Sequence, residues 1–270
     1  MLTVIIPASN EELWIAPCLS ALCASSLPQA QVIVVANGCN PSFRARQVFA
    51  EEAPENWDCT VLDFATGSKP FALNQGDALA KYPIRAYLDA DVTVSRGLLA
   101  SLVAALSTDA PRYASGTPQI PAARSAVTRA YARFWQGLPF NQTTAPGYGL
   151  FAVNAAGRAR WGDFPTIISD DTFVRLQFLP EERVQVNETY LWPMIEGFAA
   201  LTRVRRRQDA GVKELQRLYP GLLNREGKPP LSKTRLLGMF LKDPAGFATY
   251  AAVSLAVRLK RGGPGFTRGR

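Results

Sequence analysis

The chain has 270 residues, of which 47% are hydrophobic and 19% charged, so it can bury a large core and differs from the composition of disordered chains. It contains no histidine, which excludes histidine general bases, Ser-His-Asp triads and histidine metal ligands. The net charge of +8 favours an anionic partner such as a nucleotide, a phosphate group or a lipid headgroup.

The first half of the chain alternates short apolar runs with helical patterns. Residues 2–7, LTVIIP, predict a strand, and the spacing of Ser9 and Glu12 predicts a capping box for a helix to about Ser25. The elements that follow are a strand ending at Asn37-Gly38, a helix over about 42–53, a strand at 59–64, a loop and helix over 67–82, and a strand, IRAYLDAD, at 84–91. Fully apolar strands separated by helices predict a parallel sheet that is covered on both faces.

Polar residues come directly after each of these four strands. Because the carboxyl ends of parallel strands meet at one edge of a sheet, where ligands collect, we expect these residues to share one rim. They are the segments Pro7 to Glu11, Asn37-Gly38 and Gly67 to Lys69, and the pair Asp89 and Asp91. In an extended chain the two aspartates would point to the same side, and their charges would repel unless a cation lies between them or water screens them.

The second half of the chain is less regular. It predicts a helix at about 97–107, a strand near 112–115, an amphipathic helix around 125–137, a strand at 150–154, a helix capped by Ser169, and a basic helical region from about Glu196. Tyr148 lies between two glycines in a loop before the strand at 150–154, so it either fills a sharp turn or contacts a ligand.

Residues 212–270 predict a C-terminal helical extension that ends in a basic tail, RLKRGGPGFTRGR. Two apolar segments in it are broken at Asp243-Pro244. Apolar residues beside Lys and Arg fit a helix that lies on a membrane surface, and equally a helix that packs on the domain with its charged ends in water. No apolar run reaches the roughly 18 residues of a membrane span.

The expected location is the cytoplasm, with peripheral association at the inner face of the membrane as the open alternative. The chain begins with a strand-like run that lacks the basic region and cleavage site of a signal peptide. The four cysteines have no zinc-site spacing and are expected to be reduced, buried thiols: Cys18, Cys23, Cys39 and Cys59.

Seven blocks of the sequence resemble the family 2 glycosyltransferases, which have the GT-A fold. In chain order they are VIIPASNEE, VIVVANGC, GSKPFALNQGDALA, YLDADV, GYGLFAVN, SDDTFVRL and RRRQDAG. The ordered series is far more specific than a short acidic motif alone. Over residues 1–211 the resemblance implies an α/β GT-A domain with a Rossmann-like, mostly parallel sheet, in which 1–95 bind a nucleotide sugar and 96–211 bind the acceptor.

The resemblance also implies residues for the donor. Asp91 would hold a Mn²⁺ or Mg²⁺ ion that bridges the diphosphate, with Asp89 beside it facing the ribose or the sugar, since these cations prefer hard oxygen ligands. Arg207, in the arginine-rich block, would contact the diphosphate. The nucleoside would be lined or approached by Pro7, Ala8, Glu11, Asn37 and Lys69.

For the acceptor, the resemblance implies that Asp171 is the catalytic base, which removes the proton of the acceptor hydroxyl in an inverting transfer. Asp170 stands where relatives usually carry Glu, and Tyr148 and Gly149 belong to the acceptor loop. Gln208 replaces the tryptophan of the family's QxxRW element, which favours a single addition over processive synthesis.

The sequence therefore predicts an inverting, metal-dependent glycosyltransferase that moves a sugar from a UDP- or GDP-linked donor to a hydroxyl of a glycan or lipid-linked acceptor. A sugar-phosphate nucleotidyltransferase is an alternative, but it would want a glycine- and arginine-rich loop where this chain has the acidic PASNEE. A non-catalytic nucleotide- or nucleic-acid-binding module would explain the basic charge. No nucleic-acid partner is expected, because aromatic and basic residues are not interleaved.

Overall fold

The computed structural model describes residues 1–37, 42–65 and 67–259. The strands are β1 (Leu2–Ala8), β2 (Gln31–Asn37), β3 (Asp58–Phe64), β4 (Ile84–Leu88), β5 (Thr93–Val94), β6 (Tyr113–Gln119), β7 (Leu150–Val153) and β8 (Arg183–Leu191). The helices are α1 (Ile15–Cys23), α2 (Ser42–Glu52), α3 (Lys69–Ala78), α4 (Leu98–Leu106), α5 (Ala126–Gln136), α6 (Ala155–Arg158), α7 (Asp170–Arg175), α8 (Phe198–Leu218), α9 (Lys233–Lys242) and α10 (Pro244–Leu259).

The strands form one sheet in the order β3-β2-β1-β4-β7-β6-β8-β5. Its first four members, β3, β2, β1 and β4, pair in parallel. Every residue of β2 is buried, as are all but one of β1, because apolar strands of a parallel sheet are covered on both faces. The predicted parallel half is confirmed, and the carboxyl ends of these strands lie at one edge. Gly38, which the predicted rim includes, lies outside the described residues.

Antiparallel pairing begins where the second half of the chain joins the sheet. β7 pairs antiparallel with both β4 and β6, β8 pairs parallel with β6, and β5 pairs antiparallel with β8. Neither β5 nor β8 was predicted from the sequence. The sequence of β8, RVQVNETYL, contains polar residues throughout and is only partly buried, so no apolar run marks it.

Two predicted helix caps are wrong. Helix α1 begins at Ile15 rather than after Ser9, and its N-cap residue Trp14 makes no side-chain cap. The residues before it form a turn in which the backbone N–H of Ser9 donates to the Glu11 carboxylate, so a local side chain competes with the helix for the backbone donor. Ser169 does precede α7, but its hydroxyl caps nothing.

The Ser169 hydroxyl instead lies against α8. A Cβ at Gly211 would come within 2.1 Å of Ser169 Oγ, so only glycine lets the helix approach this segment so closely. Glu214, further along α8, accepts from the backbone N–H of Ile168 at 2.8 Å. Helix α8 therefore holds the segment that leads into α7.

The C-terminal helices pack on the domain along one side. Tyr250 of α10 contacts the rings of Tyr131 and Phe134 on α5 at centroid distances of 5.4 and 5.2 Å. Its hydroxyl accepts from Arg205 of α8 at 2.9 Å, and Val253 is fully buried. No helix among the described residues is long and apolar enough to cross a membrane. The basic tail from Lys260 lies outside the described residues.

The cysteines that the structure describes are free thiols: Cys18, Cys23 and Cys59. Burial raises the pKa of Cys23 to about 11 and that of Cys59 to about 12, and it raises the pKa of Cys18 further. All three thiols are protonated at neutral pH and are therefore poor nucleophiles. Cys39 lies outside the described residues.

Candidate active site

A cleft opens at the carboxyl edge of the parallel strands and brings together residues from both halves of the chain. Its lining consists of Pro7, Lys69, Leu73, Tyr87, Leu88, Asp89, Gly147, Gly149, Phe151, Asp170 and Asp171. The lining residues for which the sequence predicted a role are Pro7, Lys69, Asp89, Gly149, Asp170 and Asp171. Those it did not predict are Leu73, Tyr87, Leu88, Gly147 and Phe151, because mostly apolar residues at strand and helix ends carry no chemical signature in a sequence.

Lys69 joins two acidic side chains across the cleft. Its Nζ lies 2.9 Å from Asp89 Oδ1 and 3.2 Å from Asp170 Oδ2. Lys69 is the first residue of α3, which is capped by the Ser68 side chain and has Pro70 in its first turn, so its backbone is fixed by the helix start. Burial lowers the pKa of Lys69, but the charges of Asp170 and Asp89 outweigh it and the pKa lies above its ordinary range.

The two neighbouring aspartates of α7 have different surroundings. Asp170 is only 4% exposed, and burial raises its pKa above the ordinary value despite the opposing charge of Lys69. Asp171 is less buried, lines the cleft, and accepts at Oδ1 from the backbone N–H of Thr172 at 2.6 Å and from its hydroxyl at 3.3 Å. Asp170 thus forms an ion pair with Lys69, whereas Asp171 is oriented by hydrogen bonds from Thr172 in the first turn of α7.

Asp89 and Asp91 lie on a turn, not on the extended strand that the sequence analysis assumed. Strand β4 ends at Leu88, and the N–H of Val92 donates to the Asp89 carbonyl at 3.1 Å. The chain turns here because the N–H of Asp89 donates to the Gly149 carbonyl at 2.9 Å, which holds Asp89 against the loop before β7. Alternation of side chains in an extended strand therefore does not explain their proximity.

The carboxylates still share one region. The pKa of Glu11 is raised to about 7, mainly by burial and to a smaller extent by the negative charges of Asp91 and Asp89, against the lowering effect of the Ser9 N–H. Such a concentration of negative charge suits a divalent cation with oxygen ligands. Among the described residues no group of three or more His, Cys, Asp or Glu side chains is arranged to hold a metal. Two carboxylates would therefore need the oxygens of a diphosphate and water to complete the coordination.

Six of the predicted residues lie outside the lining of the cleft: Ala8, Glu11, Asn37, Asp91, Tyr148 and Arg207. Ala8 and Asn37 are buried at the ends of β1 and β2, where the Asn37 amide donates to the Ala8 carbonyl at 3.4 Å. Tyr148 packs against Trp192 at a centroid distance of 4.6 Å. Arg207 is exposed on α8.

Arg206 and Trp192 were not among the predicted residues. Arg206 precedes Arg207, and its Nε and Nη2 are buried without a hydrogen-bond partner among the described residues. The arginine block gave no signal to distinguish Arg206 from its neighbours, because all of its arginines lie on one helix and differ only in the direction they face. Trp192 follows β8, the strand that the sequence did not reveal.

Gly147 shapes the wall of the cleft. Its φ is +72°, and a Cβ there would lie 1.7 Å from the Tyr113 hydroxyl oxygen. We expect Gly147→Ala to lower the free energy of unfolding by about 2–4 kcal/mol, from backbone strain and overpacking together. Thermal unfolding checks this, with Gly162→Ala as the control, because a Cβ at Gly162 meets nothing within 4 Å. Equal melting temperatures for the two variants would contradict the expectation.

The ionisation of Glu11 makes stability depend on pH. Its folded pKa of about 7 exceeds the ordinary 4.5, so the folded state binds a proton more tightly and stability falls as pH rises between these values. We expect Glu11→Gln to match the wild type near pH 4 and to be more stable by about 1–3 kcal/mol near pH 8. Denaturant unfolding at both pH values measures this, with the exposed Glu12→Gln as control. The same difference at both pH values would refute it.

In an open α/β sheet, ligands bind in the crevice at the carboxyl ends of the parallel strands, which is where this acidic cleft lies. The sequence profile described as glycosyl transferase family 2 matches residues 3–163, more than half of the chain. The chain belongs to this family and is a glycosyltransferase. None of the curated proteins matches the chain.

Solved glycosyltransferase structures have a similar fold. The mannosyltransferase PcManGT from Pyrobaculum calidifontis, in complex with GDP-Man and Mn²⁺, is 21% identical, with 97% of this chain and 76% of that chain covered and a TM-score of 0.63. TarS 1-349 from S. aureus with UDP-GlcNAc is 14% identical, at 96% and 91% coverage and a TM-score of 0.54. Glucosyl-3-phosphoglycerate synthase from Mycobacterium tuberculosis, with Mn²⁺, UDP and glucosyl-3-phosphoglycerate, is 18% identical, at 85% and 81% coverage and a TM-score of 0.53. At these identities the likeness shows the fold alone, which is the GT-A fold.

Proposed function

We propose that this glycosyltransferase is inverting and metal-dependent, and that it moves a sugar from a UDP- or GDP-linked donor to a hydroxyl of a glycan or lipid-linked acceptor. The observation that supports this most is the meeting of two sets of acidic residues in one cleft. Asp89 comes from the end of a parallel strand, Asp170 and Asp171 come from α7, and Lys69 lies between Asp89 and Asp170. A donor bound at Asp89 would thus have its reactive carbon close to a carboxylate.

In this proposal different ranges of the chain bind different ligands, although they belong to one fold. Residues 1–95 bind the nucleotide sugar, 96–211 bind the acceptor, and 212–270 form the helical extension. The donor residues lie at the ends of the first four strands, just after them, or on α8: Pro7, Ala8, Glu11, Asn37, Lys69, Asp89 and Arg207. The acceptor residues lie at β7 and α7: Tyr148, Gly149 and Asp170. One sheet runs through both parts, which fixes the two ligands relative to each other.

Asp91, with Asp89 beside it, would hold Mn²⁺ or Mg²⁺. The negative potential that the two aspartates impose on Glu11 supports this assignment. When bound, such a cation neutralises the charge that develops on the departing diphosphate. PcManGT and glucosyl-3-phosphoglycerate synthase were both solved with Mn²⁺, which supports a divalent cation for this fold.

Asp171 would be the base. As the acceptor oxygen bonds to the anomeric carbon from the face opposite the diphosphate, its proton passes to the Asp171 carboxylate, and the bond to the diphosphate breaks. The carboxylate lines the cleft and is oriented by Thr172. Lys69 would act on the neighbouring Asp170, because its ammonium favours the ionised form of that buried acid and keeps α7 in place at neutral pH.

Thermal unfolding with candidate donors tests the proposal. A ligand that binds only the folded state at about 100 times its Kd adds about 2.7 kcal/mol, which corresponds to a rise of roughly 5–10 °C for a chain of this size. We expect such a rise with a UDP- or GDP-sugar in the presence of Mn²⁺, and its loss in EDTA. ATP serves as the control nucleotide. A shift that is the same in EDTA, or none with any UDP or GDP compound, would overturn the metal-dependent donor site.

We further propose that the protein works in the cytoplasm and associates peripherally with the inner face of the membrane. The support is the set of apolar side chains that the C-terminal helices leave exposed, beside a basic tail that the sequence carries from Lys260 onward.

A further inference from the structure

Helix α9 exposes a row of large apolar side chains. Leu237 is 57% exposed, Phe240 38% and Leu241 68%, and their spacing of three and four residues places them on one side of the helix. Leu231, just before the helix, is 39% exposed. These four residues are called the α9 apolar face. Large apolar residues grouped in this way on a surface mark a site of interaction.

The other side of α9 is fixed to the domain. Arg235 donates to the Gly137 carbonyl at 3.3 Å and also to the Gln142 side chain. A Cβ on Gly137 would come within 3.1 Å of Met239 Cε, so Met239 packs directly on this backbone. The domain therefore holds α9 by its Arg235 and Met239 side. Phe240 also packs on the ring of Phe247 in α10 at a centroid distance of 5.1 Å, so Leu237 and Leu241 are the most exposed members of the face.

All the charged side chains of α9 are cationic. Lys233 begins the helix and Lys242 ends it, both are exposed, and the helix contains no acidic residue. Asp243, which follows, is paired with Arg133 at 3.2 Å. An apolar face flanked by lysines is complementary to an anionic lipid surface, where acyl chains take the apolar groups and headgroups take the charges.

The position of α9 connects this surface to the cleft. The segment that α9 contacts, 137–142, carries Phe140, whose ring lies 6.3 Å from that of Tyr148. Tyr148 stands between Gly147 and Gly149, which both line the cleft. The α9 apolar face is therefore joined through one short segment to the side of the cleft on which the acceptor is proposed to bind.

We propose that the α9 apolar face docks on an anionic lipid bilayer and thereby holds the acceptor side of the cleft at the membrane surface. The inference rests on the proposed function in one respect: of the two proposed acceptor classes, a glycan and a lipid-linked acceptor, it selects the lipid-linked acceptor. Docking itself requires only the contacts and charges of α9, so it can be measured apart from sugar transfer.

Co-sedimentation of the full chain with vesicles tests the docking. The vesicles contain equal parts phosphatidylglycerol and phosphatidylcholine, or phosphatidylcholine alone. We expect the protein to bind the anionic vesicles and to bind the neutral ones more weakly. Raising the salt concentration from about 0.1 to 0.5 M should lower the fraction bound to the anionic vesicles. Leu237→Glu with Leu241→Glu should lower the bound fraction about fivefold or more, because both side chains would have to leave the lipid.

The matched control is Leu79→Glu with Leu218→Glu, which changes the same number of exposed leucines, 47% and 44% exposed, at other places on the surface. Its binding should equal that of the wild type. Equal binding by the α9 variant, or no preference for anionic vesicles, would overturn the proposal. So would light scattering that shows a dimer dissociated by the α9 variant, because a second copy would then cover the face. Metal-dependent donor binding, followed by thermal shift, should survive in both variants, so failure of docking is distinguishable from failure of the proposed transferase.

Discussion

Replacing Asp171 by Asn is expected to lower kcat for transfer by about 10³-fold, because a general base contributes roughly 10²- to 10⁴-fold. The amide keeps the size of the side chain and an oxygen that accepts from the Thr172 N–H and hydroxyl, so the start of α7 should be preserved. What is lost is the capacity to take a proton. Donor binding should be retained, because the loss concerns an interaction with the acceptor hydroxyl in the transition state.

The measurement combines initial rates of transfer with the thermal shift caused by donor and Mn²⁺. Asp163→Asn, an exposed position near the same segment, is the control for the loss of one negative charge. Asp170→Asn separates the two neighbours, because it removes a partner of Lys69 and should lower the melting temperature, whereas Asp171→Asn should leave it unchanged. A kcat within tenfold of the wild type for Asp171→Asn would refute the assignment of the base.

Asp91→Asn is expected to reduce transfer by about 10²-fold or more, through weaker metal-dependent donor binding and poorer neutralisation of the leaving diphosphate. Asn retains a carbonyl oxygen ligand but loses the charge that holds a dication. Asp91 lies on a turn after β4, where Asn is well tolerated, so stability should change little. Calorimetric titration of the donor with Mn²⁺, and rates across a Mn²⁺ series, measure the effect.

The exposed Asp109→Asn provides the control, and the wild type in EDTA provides a second route to the same loss. Full turnover of the wild type in chelator would remove the metal role of Asp91. If the transfer rate of Asp91→Asn depended on Mn²⁺ as that of the wild type does, another residue would have to hold the metal. Either result would leave the family and the fold as they are, since neither depends on the metal.

The parallel half of the sheet could be predicted because each of its first two strands is a continuous apolar run in the sequence. β1 and β2 are buried apolar runs whose side chains need cover on both faces, and this requirement is visible in the sequence alone. β8 is different, because about half of its residues are polar. Its extended conformation is stabilised by pairing with β6 and β5 and not by a local apolar pattern. Pairing between distant segments leaves no local pattern, so this strand and Trp192 after it were missed.

The candidate site was predictable to the same degree. The topology rule gathers Pro7, Lys69 and Asp89 at one edge, but it does not give the contacts between side chains. That Lys69 reaches Asp170 as well as Asp89 follows from where α7 lies, which depends on the contact of Gly211 with Ser169. The turn at Asp89 likewise depends on a hydrogen bond to Gly149, a residue far away in the chain.

The hydrogen bond from Asp89 to Gly149 also has a mechanical meaning. It extends the backbone hydrogen bonding between β4 and β7, so the donor edge and the acceptor loop belong to one continuous sheet. A hinge motion that separated the two parts would have to break these hydrogen bonds. Substrates must enter and leave through the exposed mouth of the cleft, and any covering of the reacting groups must come from loops at its border.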